Sequence, residues 1–297
     1  MTLIKFTNKN LKKIVCVYQL QYNKNYPAPG IGDFFRGCFF VMQLTNRLNL
    51  EFALDISNHP IAKYIENCGK NNSINYNNLD FILGLNRPPH LWRDPTTYLD
   101  NNFANQLIDK MNKHTVSDTY ALFTNAFPIF YNFLDTGREK IKNMLIPNNV
   151  MQNYIDCALN ELNLTRNTYA TIHIRSGDQN ITNLTPLDVG FINKIKKYIN
   201  KLIIPNKKYL IISDSNTLKV VLKVYPNFYI LNRKIEHLGG EVKPNDSMAT
   251  MNTLLDFYLM SYSNSIFALS VYGHISGFSQ YCSVINKIPF NYIVLHP

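Results

Sequence analysis

The chain has 297 residues, of which 46% are hydrophobic, 13% aromatic and only 17% charged. This composition is typical of a packed globular protein and excludes an intrinsically disordered chain. A formal net charge of +10 is compatible with nucleic acid, an acidic surface or a phosphate-bearing small molecule as partner. The basic residues form no stripe interleaved with aromatic residues, so a nucleic-acid groove is not expected.

No segment approaches the roughly 18 unbroken apolar residues that indicate a membrane span. The first twenty residues lack the charge distribution and the cleavage site of a signal peptide. We therefore expect a cytoplasmic protein with no transmembrane segment. The five cysteines are scattered and never form a CxxC pair, which indicates neither a disulfide framework nor a zinc site.

The first half of the chain begins with a predicted strand, helix and strand at residues 12–20, 34–49 and 50–57. Such a βαβ unit usually makes a right-handed parallel crossover. Residues 58–115 are rich in Asn and Pro and are predicted to be irregular, whereas residues 119–127 are predicted to form a further strand.

In the second half, a predicted helix at 147–163 leads into a regular alternation of strands and helices. The predicted strands are 169–175, 208–214, 228–232, 265–270 and 290–295, and the predicted helices are 186–203, 216–225, 248–263 and 278–286. This alternation implies a parallel sheet with helices on both faces. The predicted fold class is therefore α/β, with two Rossmann-like domains at 1–150 and 151–297.

The strand at 169–175 ends in the polar turn HIRSGD. Ligands of open parallel sheets bind at the carboxyl ends of the strands. Arg175 offers a planar set of donors suited to a phosphate, and His173 lies on the same face of the strand. Gly177 and Asp178 complete the turn. A purely structural alternative is that Arg175 and Asp178 form an ion pair that ties the loop down.

The next predicted strand, at 208–214, also ends in a polar cluster. Ser213, Asp214 and Ser215 stand directly before a helix, where small polar side chains cap exposed N–H groups. Capping explains any one of them, but not why two neighbouring strands both end in ligand-like residues.

The last predicted helix opens with Ser276, Gly277, Phe278 and Ser279. Backbone N–H groups, the helix dipole and two hydroxyls would face one spot there, and the dipole alone would stabilise an anion by roughly 0.3 to 2 kcal/mol. An ordinary N-cap serine on a core helix is equally compatible with this pattern.

Two polar residues lie between these clusters. Asp256 falls within an apolar-periodic helix, so it is either an exposed polar-face residue or a group turned toward the base of a ligand. His237 lies in the Gly-containing loop 237–246, where a histidine is more often a surface residue than part of a site.

In the first domain the candidate is the segment PAPGIGDFFRG. Gly30 and Gly32 permit close backbone approach, and Asp33 and Arg36 begin the following helix. A dinucleotide fingerprint with Asp55 as the ribose acid is the alternative. That fingerprint needs a third glycine and a tight turn, and the sequence has neither.

The chain resembles the fucosyltransferase superfamily that includes the α1,2-, α1,6- and protein-O-fucosyltransferases. The stretches that carry the resemblance are, in family order, GIGDFFRG, HIRSGD, IISDS and LLDFYLMSYSNSIFALSVYGHISGFS. It covers the C-terminal half well and matches nothing in residues 58–145. The resemblance implies a GT-B fold, with two Rossmann-like domains facing a central cleft. It also implies inverting, metal-independent transfer of fucose from GDP-fucose to a hydroxyl of a glycan or protein acceptor, with no cofactor.

The resemblance also implies roles for individual residues. Arg175, which forms the family's H-x-R motif with His173, would contact the donor diphosphate. Ser276 to Ser279 match the S-x-F-S motif beside it, and Asp256 would fall near the guanine. The sequence departs from the family at Ser176, where many relatives carry a second arginine, and this leaves the glycosidic linkage open.

The chemistry agrees with these roles. Negative charge builds up on the departing diphosphate, so a fixed arginine and a helix N-terminus stabilise the transition state more than the ground state. The acceptor hydroxyl requires a base. Asp33 is the candidate for that base, with Gly30, Gly32 and Arg36 beside it on the acceptor side.

Several alternatives stay open at this level. A GT-B transferase could use another nucleotide sugar, and a nucleotide-dependent oxidoreductase could be built on the loop from Gly30 to Asp33. A basic nucleic-acid-binding protein and a catalytically silent sugar-nucleotide fold are further alternatives. The acceptor cannot be read from the sequence, because its pocket would come from the unmatched residues 58–145.

Overall fold

A computed structural model of the chain describes residues 3–23, 26–27, 29–66, 80–82, 101–124, 135–177, 187–239 and 247–295. The chain divides into two compact units. The first unit comprises Met1–Pro147 and Leu238–Glu241, and the second comprises Asn148–His237 and Val242–Pro297.

The first unit is built on a parallel sheet. Its strands are β1 (Lys13–Val17), β2 (Gln21–Asn23), β3 (Tyr26–Pro27), β4 (Glu51–Asp55), β5 (Asp80–Ile82) and β6 (Thr119–Thr124). Four of them form the sheet in the order β4-β1-β6-β5 with every pairing parallel, while β2 and β3 make a short antiparallel hairpin. The parallel pairing of β1 with β4 confirms the predicted βαβ unit.

The helical segments of this unit are α1 (Ile31–Leu48), a 3-10 helix (Pro60–Tyr64), α2 (Asn101–Lys113) and α3 (Asp135–Met144). In α1 the apolar side chains that include Phe34, Cys38 and Val41 are fully buried. The helix ends where Asn49 adopts the left-handed conformation, with φ of 56°. No described helix combines the length and the apolar character needed to cross a bilayer.

The prediction that residues 58–115 are irregular is wrong for α2. This helix buries Ala104, Leu107, Ile108 and Met111, which follow helical spacing, while its polar face is rich in Asn and Lys. The abundant polar residues obscured a short apolar stripe that only burial makes evident. Residues 67–79, 83–100 and 125–127 of the predicted segments lie outside the described residues.

The second unit contains a parallel sheet with helices on both faces. Its strands are β7 (Tyr169–Arg175), β8 (Lys208–Ser213), β9 (Phe228–Tyr229), β10 (Ser265–Ser270) and β11 (Phe290–Val294). Its helices are α4 (Asn149–Glu161), α5 (Val189–Leu202), α6 (Asn216–Leu222), α7 (Ser247–Ser261) and α8 (Gly277–Asn286). Every strand and helix predicted for this half is confirmed. The strand predicted at 228–232 is shorter than expected, because β9 pairs with β8 over only two residues.

The strand order of this sheet is β11-β10-β7-β8-β9, so β7 lies at its centre. The chain moves outward from β7 through β8 to β9, and then returns to the other side of β7 with β10 and β11. The connections after β7 and β10 therefore lead away in opposite directions. This is a topological switch point, where ligands of α/β proteins bind.

The alternation of side chains along β7 separates the core from the candidate site. Ala170, Ile172 and Ile174 are fully buried in a cluster with apolar residues of α5, β8 and α6. His173 and Arg175 project from the opposite face of the strand. The packing of β7 thus sets the direction of both predicted ligand residues.

Candidate functional site

The Asp214 carboxylate organises the turn that follows β7. It accepts hydrogen bonds from Nη1 of Arg175 at 2.8 Å, from the backbone N–H and hydroxyl of Ser176 at 2.7 and 2.6 Å, and from the backbone N–H of Gly177 at 3.1 Å. Gly177 has φ of 125°, a conformation that favours glycine. Since only 4% of the Asp214 side chain is exposed, the turn is held by a desolvated charge.

The alternative in which Arg175 pairs with Asp178 is not tested, because Asp178 lies outside the described residues. Among the described residues, a carboxylate bonded to Arg175 is that of Asp214, which follows the neighbouring strand β8. The sequence did not indicate this pair, because the adjacency of β7 and β8 is a tertiary property.

Arg175 lies beside both connections of the switch point. Its carbonyl accepts a hydrogen bond from the backbone N–H of Val271, which follows β10, at 3.2 Å. Its guanidinium carbon lies 5.8 Å from the centroid of the Tyr272 ring. With 15% of its side chain exposed, Arg175 is a largely buried cation between the end of β7 and the loop that leads to α8.

His173 joins β7 to the first turn of α8. Its Nδ1 lies 3.0 Å from the Ser279 hydroxyl, and its ring packs against Phe278 at a centroid distance of 5.7 Å. Burial lowers the pKa of His173 to about 3, and the positive charges of Arg175 and Lys219 act in the same direction. The imidazole is therefore neutral at physiological pH.

The N-terminus of α8 lacks the side-chain cap that the structural alternative requires. Ser276 occupies the N-cap position, but its side chain makes no capping hydrogen bond. The Ser279 hydroxyl is directed to His173 and to the Ser276 carbonyl. The alternative is therefore right about the N-cap position of Ser276 but not about a capping hydrogen bond. The N-terminal N–H groups and the dipole of α8 thus lack a side-chain cap from Ser276.

Ser213 and Ser215 have structural partners. The Ser213 hydroxyl accepts a hydrogen bond from the backbone N–H of Ser215 at 3.1 Å, and the Ser215 hydroxyl caps α6 by accepting from the backbone N–H of Leu218 at 3.2 Å. Both serines are buried. These contacts account for the two serines without a ligand, and ligand binding by them stays a prediction.

Asp256 is buried in α7, with 7% of its surface exposed. The interpretation of Asp256 as an exposed polar-face residue is wrong. Its Oδ2 has no hydrogen-bond partner, whereas Asn252, one turn earlier, is bonded to the Tyr154 hydroxyl and to the Lys234 carbonyl. Burial raises the pKa of Asp256, and the positive charges of Lys219 and Arg233 oppose that rise. Asp256 thus keeps an open acceptor in the interior.

His237 is the last residue of the second unit before the chain enters the first. It is half-buried in the loop after β9, and residues 240–246 of the predicted loop lie outside the described residues. A role for His237 in the donor site stays a prediction.

The predicted residues of the first unit form their own group at the start of α1. Gly30 is the N-cap residue, and Asp33 in the first turn forms an ion pair with Arg36 at 3.0 Å. Gly32 is buried beside them. The connection between β1 and α1 contains the β2–β3 hairpin, so it is not the tight turn of a dinucleotide fingerprint.

Sequence reasoning missed Lys219. It lies in α6 with only 1% of its surface exposed. No local signal marks this lysine, because a lysine on a short helix is normally solvated.

The comparisons with known proteins concern the fold. No protein-family model and no curated protein matches the sequence. The crystal structure of the fucosyltransferase NodZ from Bradyrhizobium has a TM-score of 0.55 at 12% identity, with 93% of this chain and 94% of that chain covered. NodZ α-1,6-fucosyltransferase co-crystallised with GDP also gives 0.55 at 12% identity, with 93% of each chain covered. A mutant of Arabidopsis thaliana FUT1 in complex with GDP gives 0.52 at 10% identity, with 99% of this chain and 72% of that chain covered. These likenesses confirm the predicted GT-B fold, which this chain shares with the solved fucosyltransferases.

Replacing Asp214 tests the organisation of the turn. We expect Asp214→Ala to lower the free energy of unfolding by on the order of 3 to 5 kcal/mol, because it removes the shared acceptor of a largely buried guanidinium, a hydroxyl and two backbone N–H groups. Asp156→Ala is the control, since Asp156 pairs with Arg166 at the surface and should cost less than about 1 kcal/mol. If urea denaturation showed the same loss of unfolding free energy for both variants, Asp214 would not be the residue that organises the turn.

The neutral His173 predicts an acid-sensitive fold. Its pKa is about 3 in the folded protein against an ordinary value of 6.5, so the unfolded chain binds the proton more readily as the pH falls below 6.5. Stability is lost in that direction. When the pH falls from 7 to 5, we expect the free energy of unfolding of His173→Gln to decrease by on the order of 2 kcal/mol less than that of the wild type. Urea titrations at the two pH values measure this difference. If the wild type and His173→Gln lost the same free energy of unfolding, His173 would not be buried as a neutral group.

Proposed function

We propose that the protein is a glycosyltransferase that moves L-fucose from GDP-fucose to a hydroxyl of a glycan or protein, with inversion and without a metal. The observation that carries the proposal is the position of Arg175, which Asp214 holds at the switch point beside the loop that leads from β10 to α8. Support comes from the GT-B fold shared with fucosyltransferases, one of them co-crystallised with GDP. A third NodZ structure, soaked with GDP-fucose, has a TM-score of 0.53.

In this proposal Arg175 and α8 bind the diphosphate of the donor. Arg175 supplies a largely desolvated positive charge, and Ser276 to Ser279 direct backbone N–H groups and a helix dipole to the same corner. Both are in place before the reaction, so they stabilise the charge that develops on the leaving diphosphate. Gly177 donates to the same Asp214 carboxylate that holds Arg175, and Asp178, the next residue in the sequence, stays a predicted donor-site residue. This preorganised positive charge can serve where other transferases employ a metal ion.

Asp256 fits the base of the donor. Guanine carries two adjacent donors, N1–H and the 2-amino group, that match a carboxylate, and the Oδ2 of Asp256 is a buried acceptor without a partner. A buried acceptor gains most from a ligand that supplies the missing donor. The neutral His173, which contacts Ser279 and Phe278 of α8, contributes a further polar group to the proposed donor site.

The first unit supplies the acceptor side. The acceptor oxygen attacks C1 of fucose, the bond from C1 to the diphosphate oxygen breaks, and GDP departs with the bonding electrons. The acceptor proton passes to the carboxylate of Asp33. Asp33 suits this role because 43% of its side chain is exposed, so it is accessible. Gly30, Gly32 and Arg36 line its surroundings.

The oxidoreductase alternative has lost its structural basis. It requires a tight phosphate-binding turn between β1 and α1, where the chain instead inserts a hairpin. The nearest alternative is a transferase that uses another nucleotide sugar. The donor panel described next distinguishes it from a GDP-fucose transferase.

The donor is tested by slow hydrolysis of a panel of nucleotide sugars in the presence of EDTA, with released nucleotide as the readout. We expect GDP-fucose to be turned over fastest. Arg175→Ala should reduce this turnover by about 10²- to 10³-fold, the typical loss for one preorganised charge-stabilising donor, and Arg175→Lys should retain an intermediate rate.

Arg166→Ala is the matched control, because Arg166 forms a surface ion pair in the same unit, and it should keep wild-type turnover. Thermal unfolding verifies that each variant is folded. Wild-type turnover in folded Arg175→Ala would remove Arg175 from the mechanism, and a preference for another donor would replace GDP-fucose.

The base is tested by Asp33→Asn. We expect turnover to fall by roughly 10²- to 10⁴-fold, as for loss of a general base, while GDP binding measured by calorimetry is unchanged. Asp135→Asn is the control, since Asp135 forms the same first-turn ion pair with Arg138 three residues later. If both variants keep wild-type turnover, another group must remove the proton.

A further inference from the structure

Tyr18 is a buried residue of the first unit that the mechanism above does not use. It directly follows β1, and its backbone N–H donates to the carbonyl of Asp55 at 2.8 Å, so it lies at the carboxyl end of the sheet beside β4. Its side chain is fully buried. A buried tyrosine hydroxyl normally has a hydrogen-bond partner, because desolvating an unpaired hydroxyl is costly.

The Tyr18 hydroxyl holds the backbone that leads into α1. It donates to the carbonyl of Pro29 at 3.0 Å and also to the carbonyl of Leu238, a residue of the same unit. One hydrogen is thus shared between two acceptors in a three-centre hydrogen bond. Pro29 directly precedes Gly30, the N-cap residue of α1. The hydroxyl therefore fixes the chain just before the helix that carries Asp33.

The Tyr18 ring holds the residue on the other side of Asp33. It stacks on the ring of Phe34, with centroids 4.3 Å apart and 18° between the planes, and on the ring of His59, with centroids 4.0 Å apart and 9° between the planes. Two rings stacked so closely on one ring would overlap if they lay on the same face. The Tyr18 ring therefore lies between Phe34 and His59, which restricts its movement.

The position of Asp33 depends on the backbone that carries it. Its carboxylate pairs with Arg36 and is 43% exposed, so burial does not hold it in place. Pro29 and Phe34, which lie on either side of Asp33 in the chain, are both contacts of Tyr18. A general base must lie within hydrogen-bond reach of the proton that it removes. The contacts of Tyr18 thus constrain the residue for which exact placement matters.

We propose that Tyr18 is a positioning residue for Asp33, the base of the proposed reaction. Its hydroxyl and ring hold the two sides of the segment so that the carboxylate can accept the proton of the attacking hydroxyl. Burial raises the pKa of Tyr18 well above its ordinary value of 10, so the hydroxyl keeps its proton and continues to donate. This inference rests on the proposed function, since Tyr18 acts on the reaction only through Asp33.

The first test is Tyr18→Phe, which keeps the stacked ring and removes only the hydroxyl. We expect kcat for GDP-fucose hydrolysis in EDTA to fall about 10- to 100-fold, because a misplacement of about 1 Å can cost that much. The KM for GDP-fucose and the GDP affinity measured by calorimetry should equal those of the wild type, because the proposed donor site lies in the second unit. An unchanged kcat in the folded variant would overturn the proposal.

Tyr169→Phe is the matched control. Tyr169 is the first residue of β7, its side chain is fully buried, and its hydroxyl donates to the backbone carbonyl of Leu259. The variant removes the same kind of hydrogen bond at the end of β7 opposite to Arg175. We expect it to keep the wild-type kcat at a temperature where thermal unfolding shows every variant to be folded. Equal losses of kcat in Tyr18→Phe and Tyr169→Phe would mean that lost stability alone explains the effect.

A double-mutant cycle separates positioning from a merely structural role. If Tyr18 acts through Asp33, adding Tyr18→Phe to Asp33→Asn should change kcat by less than about twofold. Losses that multiply would show that the two residues act independently, which contradicts the proposal. Phe34→Leu is the second variant if Tyr18→Phe does not fold. It removes the stacked ring, and it should also lower kcat, leave the KM unchanged and have little effect in the Asp33→Asn background.

The two proposals fail separately. If the wild type turns over no nucleotide sugar, or if Asp33→Asn keeps wild-type turnover, the proposed function or its base is wrong and the role of Tyr18 falls with it. If Asp33→Asn lowers turnover and folded Tyr18→Phe does not, only the role of Tyr18 is wrong.

Discussion

The candidate site depends on the hydrogen bonds of one buried carboxylate. Asp214 receives donors from three consecutive residues of the neighbouring turn, Arg175, Ser176 and Gly177. Without it, a guanidinium, a hydroxyl and two backbone N–H groups would lose a buried acceptor at once, which costs far more than a single hydrogen bond contributes. The interaction also joins β7 to β8 at their carboxyl ends. The packing of β7 sets the face from which Arg175 projects, and the hydrogen bond to Asp214 fixes its guanidinium.

The titratable side chains of His173, Lys219 and Asp256 are buried in the interior of the second unit. Burial makes His173 neutral, and its hydrogen bond to Ser279 satisfies one ring nitrogen. Lys219 and Asp256 are buried too, and Oδ2 of Asp256 has no hydrogen-bond partner. Such groups are expensive in the ligand-free protein and concentrate at functional sites. Their arrangement favours a ligand that brings complementary donors and acceptors.

The fold is shared with NodZ at 12% identity, which sets a limit on what the fold can say about function. Apolar cores accept many substitutions when volume and patterning are kept, so a sheet such as β11-β10-β7-β8-β9 can be built from very different sequences. Function resides in the residues at the strand ends. Arg175, Ser276 to Ser279 and Asp256 carry the donor proposal, and Asp33 carries the acceptor proposal.

The sequence alone determined the alternation of strands and helices from α4 to β11, and it placed Arg175 and Ser276 at strand or helix ends, because periodicity and caps are local properties. It could not reveal α2, whose apolar stripe is short and surrounded by asparagine. Only the tertiary structure decided that Arg175 pairs with Asp214 and that Lys219 is buried. Both facts depend on strand order and on burial between distant segments, which arise only when the sheet assembles.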